Sequence, residues 1–165
     1  MQYANLKLND IANVAGISVS FFVQGCPHHC PHCFNPETWD FNGGKEFTTD
    51  VLNRILNGLN ENGIHRSLCI LGGEPLCPEN QFLTRLVIEE VKKKNPFTPI
   101  YIWTGYIFEE LLEQPSAHLK AILEQTDFLI DGPFIQELKD NNLKMRGSSN
   151  QRIIDLRNFD FSKNF

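Results

Sequence analysis

The chain has 165 residues, a length that predicts one domain. Apolar residues make up 41% of it, which predicts a packed core and excludes a disordered chain. Twenty acidic against fifteen basic residues give a formal charge of −5, so neither a basic surface nor a nucleic-acid partner is expected.

The first half of the chain reads as a strand, a long loop and a helix. The β-branched and aromatic run at residues 17–23 predicts a strand buried on both faces. It ends at Gly25 and Cys26, and residues 27–47, rich in Gly and Pro, predict one long loop. Thr48, Thr49 and Asp50 offer N-cap oxygens to an amphipathic helix that begins at Val51 and ends before Gly63.

The second half alternates strands and helices. Strands are predicted at residues 67–71, 100–103 and 128–130, with a further candidate at 152–156, and helices at 82–94, 108–112 and 117–123. This order is typical of right-handed βαβ units with a mostly parallel sheet. A closed eight-stranded barrel usually needs about 250 residues. We therefore expect an α/β fold in residues 1–165, a single domain built as a partial, open and truncated TIM-like βα barrel.

Cysteine, glycine or polar residues follow each of the first four predicted strands. Cys26 follows the first strand, residues 72–75 (GGEP) the second, residues 104–106 (TGY) the third and residues 131–133 (DGP) the fourth. In parallel α/β sheets the carboxyl ends of the strands carry the binding site. The four loops are therefore expected to converge on one site.

Three of the five cysteines form a C-x3-C-x2-C pattern, Cys26, Cys30 and Cys33. Thiolates are soft ligands that suit zinc or an iron–sulfur cluster, and clustered thiols favour a reducing compartment. Three cysteines would leave one iron of a [4Fe-4S] cluster open for another ligand. A structural zinc site remains an alternative, with His28, His29 or His32 as the fourth ligand.

The motifs resemble those of the radical S-adenosylmethionine superfamily: the three-cysteine pattern after the first strand and GGEP after the second. Within it, the chain is similar to the glycyl-radical-enzyme activases of anaerobic ribonucleoside-triphosphate reductases. The similarity lies in GCPHHCPHCFNPETW at residues 25–39, LGGEPL at 71–76, WTGY at 103–106, DGPF at 131–134 and RGSSNQR at 146–152.

The resemblance implies an oxidoreductase with two cofactors, a [4Fe-4S] cluster and S-adenosylmethionine. Cys26, Cys30 and Cys33 would bind the cluster, and reductive cleavage of S-adenosylmethionine would give a 5′-deoxyadenosyl radical that takes a hydrogen from a glycine of the reductase. Residues His32, Cys33 and Phe34 would lie along the adenine. Gly72, Gly73 and Glu74 would receive the methionyl ammonium, because glycines allow close approach of backbone carbonyls and a carboxylate accepts from a cation. Thr104 and Asp131 would lie near the ribose or the carboxylate.

The resemblance also implies partner proteins, and several alternative functions remain. The partners would be the large subunit of the reductase and a one-electron donor such as flavodoxin or ferredoxin. The chain has no apolar run of the roughly 20 residues that cross a bilayer and no signal peptide, so we expect a cytoplasmic protein without a membrane partner. The alternatives are an activase of another glycyl-radical enzyme, a radical enzyme of small molecules such as deazapurine precursors, and a zinc-binding interaction domain.

The sequence leaves the roles of several residues undecided. Cys69 and Cys77 are predicted to be buried, inert thiols. Trp103 and Tyr106 could line the pocket or belong to the core. The segment 146–152 could bind carboxylates or simply connect two elements.

Overall fold

The computed structural model describes residues 1–165, which form one seven-stranded sheet with four α-helices. The strands are β1 (Gln2–Asp10), β2 (Ser18–Val23), β3 (Lys45–Glu46), β4 (Ser67–Gly72), β5 (Ile100–Trp103), β6 (Phe128–Asp131) and β7 (Arg152–Asp155). The helices are α1 (Thr49–Gly58), α2 (Pro78–Lys94), α3 (Phe108–Leu112) and α4 (Ala117–Glu124). The predicted α/β class is confirmed.

The strand order is β3-β1-β2-β4-β5-β6-β7. The four central strands β2, β4, β5 and β6 run parallel, as the βαβ alternation predicts. At the two edges β1, β3 and β7 pair antiparallel with their neighbours. The carboxyl ends of the central strands therefore lie together at one edge of the sheet, where the loops of interest begin.

The hydrophobic core lies between one face of the sheet and the helices. Alternate strand residues such as Phe21, Ile70 and Ile102 are fully buried there against helix residues such as Ile55 and Val87. The other face of the same strands carries side chains that are only partly buried, namely Phe22, Tyr101, Trp103 and Phe128. One face of the sheet thus remains accessible.

Helix ends follow local capping chemistry. Thr48 Oγ1 accepts from the Val51 amide at the start of α1, as predicted, and Ser116 Oγ accepts from the Leu119 amide at the start of α4. Helix α2 begins at Pro78, four residues before the predicted start. Proline is favoured in the first turn, where its missing N–H would have no partner.

Two strands were missing from the sequence prediction. Strand β1 precedes the first predicted strand, and its Leu6 and Leu8 pack on the core while Lys7 between them is exposed. Strand β3 and a short 3-10 helix, Pro36–Thr38, interrupt the stretch predicted as one loop. None of the helices combines the length and apolar character needed to span a membrane.

Candidate functional site

A cavity of about 550 Å³ lies at the carboxyl ends of the central strands. Its walls include the loops after β2, β4, β5 and β6, as the sequence predicts. Its lining contains Cys26, Cys30, Cys33, Gly72, Gly73, Glu74, Thr104, Gly105 and Gly132. The volume lies in the range of typical cofactor pockets.

The cysteine loop is fixed by backbone hydrogen bonds. The Gly25 amide donates to the Thr38 carbonyl at 2.7 Å, and the Cys26 amide donates to the Trp39 carbonyl at 3.2 Å. Within the loop His29 and His32 adopt positive φ values of 47° and 61°, which turn the chain sharply between the cysteines. The loop therefore returns on itself and keeps all three cysteines on one wall of the cavity.

All three cysteines are free and partly buried. Burial raises the pKa of the Cys26 thiol to about 11 and also raises the pKa of the Cys30 thiol. At neutral pH these thiols are therefore mostly protonated, and a metal that binds them replaces the proton. No group of three or more Cys, His, Asp or Glu side chains has the arrangement that would hold a single metal ion.

Three soft sulfur donors and adjoining space nevertheless fit a multi-iron group. The free thiols share the lining of the cavity, which is roomy enough for a cluster and a further ligand. Cys69 and Cys77 are buried and lie outside the lining, as their predicted inert role requires. Burial raises the pKa of both thiols to about 12.

The turn after β4 brings a backbone segment close to the cysteine loop. Gly72 has a φ of +106°, and the Gly73 amide donates to the Val23 carbonyl at 3.0 Å. The Glu74 amide donates to the Gly25 carbonyl at 2.8 Å. The turn is therefore hydrogen-bonded to the end of β2, directly before the first cysteine.

The carboxylate of Glu74 is buried, with only 1% of the residue exposed, and its partners belong to its own turn and to two other loops of the site. Its Oε1 accepts from the Leu76 amide at 2.9 Å and from the Thr104 hydroxyl at 2.8 Å. Its Oε2 accepts from the Gly105 amide at 2.7 Å and from His28 Nε2 at 2.8 Å. Glu74 thus joins the loops after β2, β4 and β5.

Of the other residues predicted to bind the cofactors, some line the cavity and some lie outside it. Thr104 lines the cavity, and Phe34 lies on its rim with 61% of the residue exposed and its ring 4.8 Å from that of Phe134. His32 is exposed and outside the lining. Asp131 is fully buried outside the lining, where it accepts from the Phe108 amide and from the Arg152 guanidinium.

Trp103 and Tyr106 are the two aromatic residues that the sequence assigns either to the pocket or to the core. Trp103 lines the cavity and Tyr106 does not. Trp103 Nε1 donates to the Met145 carbonyl at 2.7 Å. The Tyr106 ring lies 4.5 Å from that of His28, and burial raises its pKa to about 12. Trp103 therefore forms part of the cavity wall, while Tyr106 packs against His28 outside the lining.

Two parts of the lining were not predicted. Lys7, Asp10 and Asn13 come from β1 and the loop after it, and the second part comes from residues 140–145. Arg146, Gly147 and Gln151, from the segment 146–152 that the sequence left open, also line the cavity. The alternation of Leu6, Lys7 and Leu8 was a usable signal for β1. Nothing in the local sequence indicates that residues 140–145 turn back over the cavity, because that placement depends on the long-range bond from Trp103 to Met145.

Comparison with known proteins gives two findings. A family described as a 4Fe-4S single cluster domain matches residues 12–154. Proteins named anaerobic ribonucleoside-triphosphate reductase-activating protein are similar along almost the whole chain. Those of Salmonella typhimurium and Escherichia coli K12 are each 37% identical over 158 residues, which is 95% of this chain and 100% of the relative. That of Haemophilus influenzae is 38% identical over 154 residues, 93% of this chain and 97% of the relative.

The chain belongs to the family of anaerobic ribonucleoside-triphosphate reductase-activating proteins. The resemblance stated from the sequence motifs is thereby confirmed, together with the iron–sulfur and oxidoreductase character of the family. Because the family match covers the cysteine loop and the central strands, a 4Fe-4S cluster is favoured over the zinc alternative.

Proposed function

We propose that this activating protein uses a [4Fe-4S] cluster and S-adenosylmethionine to install a glycyl radical on the large subunit of an anaerobic ribonucleoside-triphosphate reductase. The observation that carries the proposal is the shared cavity: three free cysteines and the Gly72–Gly73 turn line one space in a member of this family. The cavity, the cysteines and the turn all lie in one domain, which we take to span residues 1–165.

Cys26, Cys30 and Cys33 would hold the cluster. A loop bonded at its start to Thr38 and Trp39 presents the three sulfurs with little loss of conformational entropy on binding. Three ligands leave one iron for the amino and carboxylate groups of S-adenosylmethionine. The electron would come from a small donor such as flavodoxin or ferredoxin.

The Gly72–Gly73 turn would receive the methionyl ammonium through backbone carbonyls, because no side chain separates the ligand from the main chain there. Phe34 would lie along the adenine, beside Cys33, and the Thr104 hydroxyl would lie near the ribose or carboxylate end. Asp131, expected at the same end of the ligand, would act from outside the cavity, where it pairs with Arg152.

When bound, the cofactors would supply reductive cleavage of the sulfonium by the donor's electron to methionine and the adenosyl group, which would take the glycine Cα hydrogen and leave as 5′-deoxyadenosine. The protein orients the reacting groups and limits access of water and stray hydrogen donors. Trp103 and Phe34 supply apolar walls for that purpose.

A polypeptide substrate needs a wide entrance. The sheet, which we take as the open part of a βα barrel, leaves Phe22, Tyr101 and Trp103 partly exposed on the face without core packing, and two of these also line the cavity. A reductase segment can approach along this face. Glycine suits such a reaction because no side chain shields its Cα.

The test is an anaerobic assay of the reduced, iron- and sulfide-reconstituted protein with S-adenosylmethionine and its reductase. We expect 5′-deoxyadenosine by chromatography and a glycyl signal by electron paramagnetic resonance. Absence of both products from protein with full iron and sulfide content would overturn the proposal. 5′-Deoxyadenosine with a glycyl signal only on another glycyl-radical enzyme would instead assign the chain to the activase alternative.

A further inference from the structure

His28 connects the cysteine loop to the turn after β4. It stands between Cys26 and Cys30, and its Nε2 lies 2.8 Å from Oε2 of Glu74. Glu74 belongs to the turn that also contains Gly72 and Gly73 and is itself bonded to Thr104 and Gly105. A single side chain of the cysteine loop therefore reaches a carboxylate that three loops share.

The imidazole of His28 is enclosed as well as hydrogen-bonded. Its ring lies edge-on to Tyr106, with centroids 4.5 Å apart. A Cβ added to Gly105 would lie 2.6 Å from His28 Cδ2, so the absence of a side chain at residue 105 provides the space that the imidazole occupies. Contacts on two sides and a charged acceptor hold this ring in one orientation.

The carboxylate of Glu74 has no free acceptor position. An ionised carboxylate offers about four lone-pair sites, and the four donors described above occupy them. A methionyl ammonium could bond to Glu74 only by displacing one of these donors. The role of Glu74 is then to connect loops.

We propose that His28 is a positioning residue, which holds the cysteine loop on Glu74 and so sets the place of the cluster relative to the Gly72–Gly73 turn. The inference rests on the proposed function, in which the cluster and that turn share one S-adenosylmethionine. Misplacement by about 1 Å is enough to lose much of the benefit of preorganised binding.

Three variants separate this role from general stability. His28→Leu removes the donor, and His28→Gln restores an amide donor in a side chain of comparable length. Gly105→Ala keeps the histidine at residue 28 but adds a methyl group in the space that its imidazole ring occupies. His65→Leu is the matched control, because His65 is exposed, lies outside the cavity lining and bonds to Asn60 and not to Glu74.

The first measurement uses the metal-free full-length chain. Hydrogen exchange of the Cys26 amide, which is bonded to the Trp39 carbonyl, reports opening of the loop. Loss of a hydrogen bond to a carboxylate should speed this exchange about tenfold in His28→Leu and Gly105→Ala. His28→Gln and His65→Leu should remain within about threefold of the unaltered chain.

The second measurement uses chains with full iron and sulfide content. The dissociation constant of S-adenosylmethionine is read from its effect on the electron paramagnetic resonance spectrum of the reduced cluster. It should rise about tenfold in His28→Leu and Gly105→Ala, and His28→Gln should recover most of the affinity. A role limited to folding would leave this constant unchanged in chains that retain the cluster.

Unchanged exchange and unchanged affinity in His28→Leu would overturn the proposal, and so would faster exchange with unchanged affinity. A chain that binds no cluster in its unaltered form would contradict the proposed function instead. The exchange measurement would still decide whether His28 holds the loop, because it needs no cofactor.

Discussion

The backbone of Gly73 packs directly against the carbonyl of Gly25, so that a Cβ on Gly73 would lie 2.3 Å from the Gly25 oxygen. The same oxygen accepts from the Glu74 amide and from Asn80 Nδ2. This contact joins the end of β2 to the turn after β4, one residue before Cys26. The distance between the cysteine loop and the Gly72–Gly73 turn therefore depends on residue 73 having no side chain.

We predict that Gly73→Ala destabilises the chain by about 1–3 kcal/mol and prevents full cluster uptake, because a backbone carbonyl cannot move aside as a flexible side chain can. Urea unfolding and iron and sulfide per chain after reconstitution measure the two effects. Gly63→Ala is the control: nothing lies within 4 Å of its added Cβ, although its φ of +71° is unfavourable for alanine. It should lose about 1 kcal/mol and keep the cluster. Full cluster content in Gly73→Ala would contradict the prediction.

The three cavity cysteines should be individually necessary for the cluster. Cys26→Ala, Cys30→Ala and Cys33→Ala each remove one of only three sulfur ligands, so we expect loss of most iron and sulfide in each variant. Cys69→Ala is the matched control, because Cys69 is buried in β4 and outside the cavity lining. Elemental analysis of anaerobically reconstituted protein provides the measurement. Retention of a complete cluster by one of the first three variants, or its loss in Cys69→Ala, would refute the assignment.

The ion pair between the buried carboxylate of Asp131 and the half-exposed guanidinium of Arg152 should contribute to stability. Asp131 is fully buried and accepts from the guanidinium of Arg152, which also bonds to the exposed Glu109. Arg152→Ala would leave the Asp131 carboxylate with the Phe108 amide alone, and we predict a loss of about 1–3 kcal/mol. Arg157→Ala, which breaks an exposed pair with Asp155, should shift the unfolding midpoint less than Arg152→Ala does, because solvent screens an exposed pair. Equal midpoints of urea unfolding for the two variants would contradict the prediction.

The strands of the central sheet could be predicted because each consists of a short apolar run followed by a turn signal. Their carboxyl-end loops converge as the βαβ alternation predicts, so the sequence alone predicts that the cysteines and the Gly72–Gly73 turn lie together. Strand β1 was missed although Leu6 and Leu8 alternate with Lys7, since a strand with one exposed face carries a weaker apolar signal than a strand buried on both faces.

The partners of polar side chains were harder to predict than the strands. His28 was considered from sequence only as a possible zinc ligand, whereas in the structure it bonds to Glu74, 46 residues further along the chain. Asp131 was expected near the ligand, yet it lies buried against Arg152. Such pairings depend on the packing of loops from different strands. The local sequence does not determine the direction in which a side chain points.

The reactivity of Cys26 in the metal-free chain should depend steeply on pH. Burial raises the pKa of its thiol to about 11, so only about one molecule in ten thousand carries the thiolate at pH 7. Since the thiolate is the nucleophile, the rate of alkylation by iodoacetamide should rise about tenfold for each pH unit and reach no plateau before about pH 11. Fragment mass spectrometry of the alkylated chain identifies Cys26.

The denatured chain is the control for this measurement, because an unburied cysteine has a pKa of about 8.5 and its alkylation rate should level off near that pH. Cluster binding removes the proton from the same sulfur, so reconstitution should release protons and abolish the alkylation of Cys26 altogether. A plateau near pH 9 in the folded, metal-free chain would show that the Cys26 thiol is not desolvated. In that case burial would no longer explain why the protonated thiol is the stable form of Cys26 before the cluster binds.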